Sequence, residues 1–342
     1  VKSVTLSSYY NFTSGYGEVL RVLIENLPQN GYNIIPRTYS IISSEFLHCF
    51  ENSKNVDPNL LDFSLLSLTN DLGSSNIFLQ MDFFRPRVLY TMWESTRVND
   101  LMIEVLNKYR HICVPNHYNK NNFINQGLTA KIDVIPLFCD TNFFTYKEHI
   151  PNKKFVFGIS NEDPRKNLAK VTKCFLKAFK GYNNVELHVK TNEVIQKTFD
   201  NKIKYVSQRL SKSSLRDWYY NIDVYLSGAT CEGWGMMQQE SMCCGRPIIY
   251  TNYGGLSEFV KKENNFEVGY DEVYSENYWG DYGGKWSEFK EDEFMEMMKY
   301  CYDNQEIVVS KGKQASEDAC IYTKESFIKN ISKVIDLYIK YD

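Results

Sequence analysis

The sequence has no long apolar run. Across its 342 residues no stretch reaches the ~18 consecutive apolar positions needed to cross a bilayer. The first strand-like run, residues 1–8, starts without a basic segment and an apolar leader before it, so the expectation is a soluble, cytoplasmic protein. Peripheral membrane contact through one amphipathic or basic N-terminal face stays open. Glycine (18) and proline (9) are sparse beside 43% apolar and 24% charged residues, which excludes collagen-like and wholly disordered classes. Neither sign of charge is in excess: 39 basic against 42 acidic side chains leave −3. That balance offers no global field for a polyanion and argues against a nucleic-acid partner, so any anion site must be local. The nine cysteines are odd in number, include the adjacent Cys243 and Cys244, and form no C-x-x-C. His48, His111, His117, His149 and His188 form no H-x-x-x-H spacing. A secreted disulfide scaffold and a zinc site both lack support, and a reducing compartment fits better. There is no D-x-D triplet, no G-x-x-x-x-G-K-[ST] and no strand-linked G-x-G-x-x-G, which weakens metal–nucleotide, NTPase and dehydrogenase readings. Nothing marks an obligate protein partner, an internal repeat or a low-complexity tract.

What is present is a βα rhythm. Residues 1–8, 32–38, 87–92, 111–115 and 131–137 read as strands, and residues 17–27, 99–109 and 118–126 as helices, with Gly127 a helix C-cap. Periodicity stops over 138–153, taken as a linker. A second series follows: strands at 154–160, 184–190 and 222–227, and a helix at 167–180. Alternation of this kind builds parallel sheets. Length and rhythm together predict two Rossmann-like domains, 1–150 and 151–320, with a C-terminal helix within 321–342 that packs back toward the N-terminal domain. Residues 263–290, rich in Tyr, Gly and Trp, show no clean period and read as long loops.

The chemistry concentrates in residues 231–260, CEGWGMMQQESMCCGRPIIYTNYGGLSEFV. A strand ends near Ser227, a loop carries Glu232, Gly233, Trp234 and Gly235, and a helix runs from about Met236 to Cys244. In an open α/β sheet the carboxyl ends of strands are where ligands bind, and glycines there let helix N-terminal amides approach an anion. Glu232 stands just before the helix and Glu240 just over one turn inside it, so the two carboxylates can bracket a hydroxyl-rich ligand. Taken alone, an E-x7-E is more often a helix-start acid favoured by the macrodipole and a solvated helix residue.

With Gly245, Pro247, Gly254, Gly255 and Glu258 added, this stretch resembles the donor-site signature of family 4 of the retaining glycosyltransferases, which have the GT-B fold: two Rossmann-like domains whose parallel sheets face each other across a deep cleft. The resemblance implies that Glu232 contacts the donor sugar, that the amides of Trp234, Gly235, Met236 and Met237 meet sugar and phosphate, and that Glu240 holds the ribose. The run GISNEDPRKN, residues 158–167, places Lys166 where the family has a diphosphate lysine, whereas Ser160 stands where it usually has an arginine; Arg165 is the candidate to supply the missing charge. Two cations at a helix start oppose the macrodipole and make sense if they face a phosphate. The resemblance also places Gly15 and Gly17, in a loop between first strand and first helix, toward the donor phosphates, and the backbone near Arg209 and Leu210 against the base. The run Tyr90–Arg97, YTMWESTR, is similar to runs in a subset of these transferases, giving Glu94 an acceptor-side role. The competing reading is an aromatic plug at Trp93 with a surface Glu94–Arg97 pair.

The expectation is a retaining, metal-independent glycosyltransferase that moves a hexose from a nucleotide-diphosphate sugar, of GDP-mannose or UDP-hexose type, to a hydroxyl of a glycan or glycolipid. Lys166, Arg165, Glu232 and Glu94 form the candidate catalytic set, no cofactor is required, and no residue is assigned to a metal. The alternatives are a non-catalytic nucleotide-sugar-binding module and a sugar phosphorylase of the same fold.

Overall fold

In the computed structural model the described residues are 2–8, 15–38, 60–66, 68, 86–149, 154–161, 163–192, 200–207, 209–275 and 284–339. Ser14, which precedes Gly15, and Glu162, in the 158–167 run, lie outside them. The chain divides into two compact units, the first comprising residues 1–138, 274–285 and 324–342, the second residues 139–273 and 286–323.

The first unit holds a six-stranded parallel sheet of β1 (Lys2–Ser8), β2 (Tyr32–Thr38), β3 (Asp62–Leu65), β4 (Arg87–Tyr90), β5 (His111–Val114) and β6 (Lys131–Val134), in the order β2-β1-β3-β4-β5-β6. Its helices are α1 (Gly15–Asn26), α2 (Asp100–Leu106) and α3 (His117–Asn125). Asn99 and Asn116 cap α2 and α3 by accepting from Leu101 N and Asn119 N, satisfying amides that have no intrahelical partner. Strand β3 escapes the sequence reading because it opens on a charge. Asp62 is buried and pairs with equally buried Arg87 on neighbouring β4, at 2.7 Å. The C-terminal helix, Lys324–Asp336, also belongs to this unit. It buries Phe327, Ile328, Ile331, Val334 and Ile335, sets Phe327 edge-on to Tyr90 at 5.5 Å, and accepts from Lys2 (2.8 Å) and Tyr32 (2.6 Å) on Asp336.

The second unit repeats the plan. Its strands β7 (Phe155–Asn161), β8 (Val185–Thr191), β9 (Ile203–Ser207), β10 (Val224–Leu226), β11 (Ile248–Thr251) and β12 (Phe266–Val268) form a parallel sheet in the order β12-β11-β10-β7-β8-β9. Helices α4 (Leu168–Ala178), α5 (Lys212–Tyr220), α6 (Met236–Cys243), α7 (Glu291–Asp303) and α8 (Gln305–Ala319) complete it. One face of the sheet, with Phe157, Ile159, Leu187, Val189 and Leu226, packs on Val171 and Phe175 of α4 and Phe294 and Met298 of α7. Residues 263–290 are not the loops expected of them: they contain β12 and a two-stranded sheet, β13 (Tyr270–Tyr274) with β14 (Lys285–Phe289). Their aromatic and charged side chains hide a strand period that backbone bonding, such as Ser287 N to Thr230 O at 2.9 Å, makes plain.

Candidate functional site

In the second sheet the strand order reverses between β7 and β10. From β7 the chain builds outward through β8 and β9 on one side, and through β10, β11 and β12 on the other. At such a switch point the loops leaving the two central strands diverge and open a crevice at their carboxyl ends. The loop after β7 carries Arg165 and Lys166, and the loop after β10 carries Glu232 and Gly235.

Residues Pro164–Lys166 form a single 3-10 turn rather than the first turn of a helix, capped by the Asp163 side chain on Arg165 N at 2.9 Å. Asn167 then takes left-handed φ/ψ (56°, 33°) before α4 begins. The break keeps both cations off the positive end of α4. Lys166 Nζ donates to Glu232 Oε1, and Arg165 Nη1 donates to the carbonyl of Cys231 and lies 3.5 Å from Glu232 Oε2. Gln238, from the first turn of α6, donates to Glu232 Oε1 and to Ser227 Oγ, both at 3.0 Å. Glu232 is only 5% exposed. Burial alone pushes its carboxyl up, but the charges of Lys166 and Arg165 and the donated hydrogen bonds outweigh it and hold the group down at about 2.

Helix α6 starts at Gly235, whose φ of 101° is left-handed and whose Cβ, were there one, would lie 2.5 Å from Leu256 Cδ2. The left-handed backbone is what favours glycine there. The first bond inside the helix runs from Gln239 N to Gly235 O, so the amides of Met236, Met237 and Gln238 have no partner within it. Trp234 turns its ring inward: it stacks on Phe259 at 4.8 Å and donates from Nε1 to Gln239. What Trp234 can offer a ligand is its backbone. Gly255 N, donating to Glu232 O at 2.7 Å, ties the loop from the other side. A Cβ on Gly255 would meet Gly233 O at 2.5 Å.

Glu240 lies one turn along α6, half-buried, and accepts from Tyr219 Oη of α5 at 2.8 Å. That hydroxyl also approaches Met237 Sδ at 3.4 Å. Ser160, at the end of β7, bonds Tyr225 Oη of β10 at 2.7 Å, and the Tyr225 hydroxyl feels both Glu232 and Glu240. Exposed Arg209 and half-buried Leu210 precede α5, which Ser211 caps.

The structure thus gathers Arg165, Lys166, Glu232, Trp234, Gly235, Met236, Met237 and Glu240 around one strand switch point. Arg209 and Leu210 also belong to the second unit, whereas Gly15, Gly17 and Glu94 belong to the first. Gly15 and buried Gly17 stand in the first turn of α1, so the helix starts two residues earlier than the sequence predicts and takes in the expected loop. Glu94 is half-buried between buried Trp93 and Ser95. Trp93 Nε1 donates to Arg97 O at 2.7 Å, and the Arg97 guanidinium pairs with Asp100 at 3.0 Å, where the sequence suggested Glu94. Sequence reasoning missed Gln238, which had no signal beyond its place in a helix first turn. Among the described residues no group of three or more His, Cys, Asp or Glu is placed to hold a metal ion, and no helix is long and apolar enough to cross a membrane.

Residues 147–305 match the family model described as glycosyl transferases group 1. Over that segment the chain is similar to the group 1 glycosyl transferases, and the segment contains every site residue of the second unit named above. Protein CapJ of Staphylococcus aureus is 27% identical over 154 residues, a stretch that makes up 44% of this chain and 34% of CapJ; the match spans about a third of that relative. The sucrose-phosphate synthase of Thermosynechococcus elongatus superposes with a TM-score of 0.75 at 12% identity, covering 98% of this chain and 99% of its own. An alpha,alpha-trehalose-phosphate synthase (UDP-forming) from Burkholderia vietnamiensis gives 0.67 at 8% identity, covering 98% and 100%. With a six-stranded parallel Rossmann-like sheet in each unit and these likenesses over nearly the whole chain, the chain has the GT-B fold.

Proposed function

We propose that this chain transfers a hexose from a nucleotide-diphosphate sugar to a hydroxyl of a glycan or glycolipid, with retention at the anomeric carbon and without a metal ion. The observation that carries this reading is the cluster of Lys166, Arg165 and Glu232 beside the N-terminus of α6 at the strand switch point. The UDP-forming activity named for the trehalose-phosphate synthase of similar fold supports a nucleotide-sugar donor, with UDP-hexoses and GDP-mannose as first substrates to try.

In this reading Lys166 and the amides from Trp234 to Met237 take the diphosphate, Glu232 accepts from the hexose hydroxyls, and Glu240 accepts from the ribose. The bond between the anomeric carbon and the diphosphate oxygen breaks, and the acceptor oxygen bonds that carbon. The acceptor's proton leaves with the nucleoside diphosphate. Negative charge grows on the departing oxygen, and preorganised cations and amide dipoles stabilise it more than they stabilise the bound donor. Lys166 and Arg165 thereby do electrostatic work that a divalent cation does elsewhere. Gly15 and Gly17 are assigned to the donor phosphates, Glu94 to the acceptor, and Arg209 and Leu210 to the base.

One observation favours a second reading, a module that binds the donor without transferring it: Ser160 brings no charge and is engaged with Tyr225. Incubation with UDP-glucose, UDP-GlcNAc and GDP-mannose, with free sugar and nucleoside diphosphate followed over time, separates the two. Release in wild type that is lost in Glu232→Ala and Lys166→Ala supports the transferase, and tight binding without turnover supports the module. Nuclear magnetic resonance of the first product formed reads retention or inversion.

A further inference from the structure

Gln238 stands in the first turn of α6 and is 1% exposed. Its carboxamide nitrogen donates to Ser227 Oγ, just past the end of β10, and to Glu232 Oε1, both at 3.0 Å. A carboxylate oxygen only accepts, so the nitrogen end of the amide must face Glu232, which fixes where the carbonyl end points. That carbonyl oxygen lies against Gly235, where a Cβ would come within 3.3 Å of it, and it is buried without a hydrogen-bond partner. A buried carbonyl with no partner is destabilising, and an apolar side chain of the same length would avoid it. What the glutamine adds is its two donated bonds, one to a strand end and one to the carboxylate. Those bonds sort the two oxygens of Glu232. Oε1 accepts from Lys166 Nζ and from Gln238 Nε2, which together occupy both of its lone-pair directions. Among the described residues Oε2 is approached by one donor, Arg165 Nη1 at 3.5 Å, whose shorter bond goes to the carbonyl of Cys231. Oε2 therefore keeps acceptor capacity that Oε1 has lost.

We infer that Gln238 is a positioning residue for the sugar end of the donor: with Lys166 it engages Oε1 of Glu232, ties the carboxylate to the end of β10 through Ser227, and leaves Oε2 as the oxygen that accepts from a hexose hydroxyl. The inference rests on the donor-site reading above and adds to it which carboxylate oxygen meets the sugar and what holds it there. Its side chain has no part in gripping the diphosphate, so its loss acts on the hexose and spares the nucleotide.

The test is calorimetry with UDP-glucose, UDP-GlcNAc and GDP-mannose, and with UDP and GDP, on wild type and Gln238→Met, which keeps the length of the side chain and drops its donor. Loss of one hydrogen bond to a charged group predicts that Gln238→Met weakens the intact donor by about 10-fold. Its nucleoside diphosphate should change by less than about 2-fold, whereas a residue that merely supported α6 would weaken both, because the amides of that helix are assigned to the diphosphate. The same substitution in a Glu232→Ala background has no carboxylate to position, and donor affinity there should change by less than about 2-fold. Should Gln238→Met not fold, Gln238→Leu carries the same comparison. Equal weakening of donor and nucleoside diphosphate, no weakening, or a full further loss in the Glu232→Ala background overturns the role of Gln238. Wild type that binds none of the three donors overturns the donor-site reading itself, so the two failures are distinct.

Discussion

Lys166 and Glu232, 66 positions apart in the chain, meet as ammonium and carboxylate where the loops after β7 and β10 converge. Two loops from adjacent central strands are thereby tied by a buried ion pair that Arg165 and Gln238 reinforce. Removing one member leaves the other charged and poorly solvated, which costs more than the pair itself contributes.

Acid should expose this arrangement. The Glu232 carboxyl is held at about 2 against an ordinary 4.5. A depressed carboxyl contributes stability that is complete above the ordinary value and lost as pH falls through the depressed one. Between about pH 5 and pH 2 wild type should lose on the order of 3 kcal/mol from this group. Urea midpoints across that range should fall more steeply for wild type than for Glu232→Gln; parallel curves would count against the pair.

Lys166→Ala should lower donor turnover by about 100-fold or more, since it removes a positive group from the leaving diphosphate. It should also destabilise the fold by roughly 1–3 kcal/mol through the exposed need of Glu232 for a partner. Turnover within a few-fold of wild type, in protein whose melting temperature is unchanged, would contradict both halves.

Gly255→Ala tests the loop without touching a charge. Its new methyl would press on the carbonyl of Gly233, a backbone atom that cannot swing aside. The loop carrying Glu232 must shift, so donor affinity should fall about 10-fold, the response expected when a positioned group moves by a fraction of an ångström. Binding equal to wild type by calorimetry would show the loop to be more compliant than its hydrogen bonds suggest.

Tyr219→Phe removes the hydroxyl that orients Glu240 and leaves the ring's packing intact. A single hydrogen bond to a charged group is worth roughly 1.5–3 kcal/mol, part of which water recovers at a half-buried site. The donor KM should rise about 5-fold with kcat nearly unchanged. A fall in kcat with constant KM would move Tyr219 from donor binding to the reacting atoms.

In the first unit, Ile331→Ala opens a cavity under the C-terminal helix and should cost about 2–5 kcal/mol. Denaturant unfolding of the full chain measures it. A loss below about 1 kcal/mol would mean that the helix is not part of that core.

Local pattern alone determined the βα alternation, the helix start at Asn99, and the choice of residues 231–260 as the place to look for chemistry. Strand and helix periods, caps and glycine turns depend on residues within a few positions of one another, and so they are written in consecutive letters. Motif spacing likewise singled out Glu232, Glu240 and Lys166. It could not show that Lys166 and Glu232 are partners. That follows from which strands lie side by side. The reversal of strand order at β7 and β10, and the pairing of Ser160 with Lys190, bring together residues from distant parts of the chain, and only the packed sheet decides them.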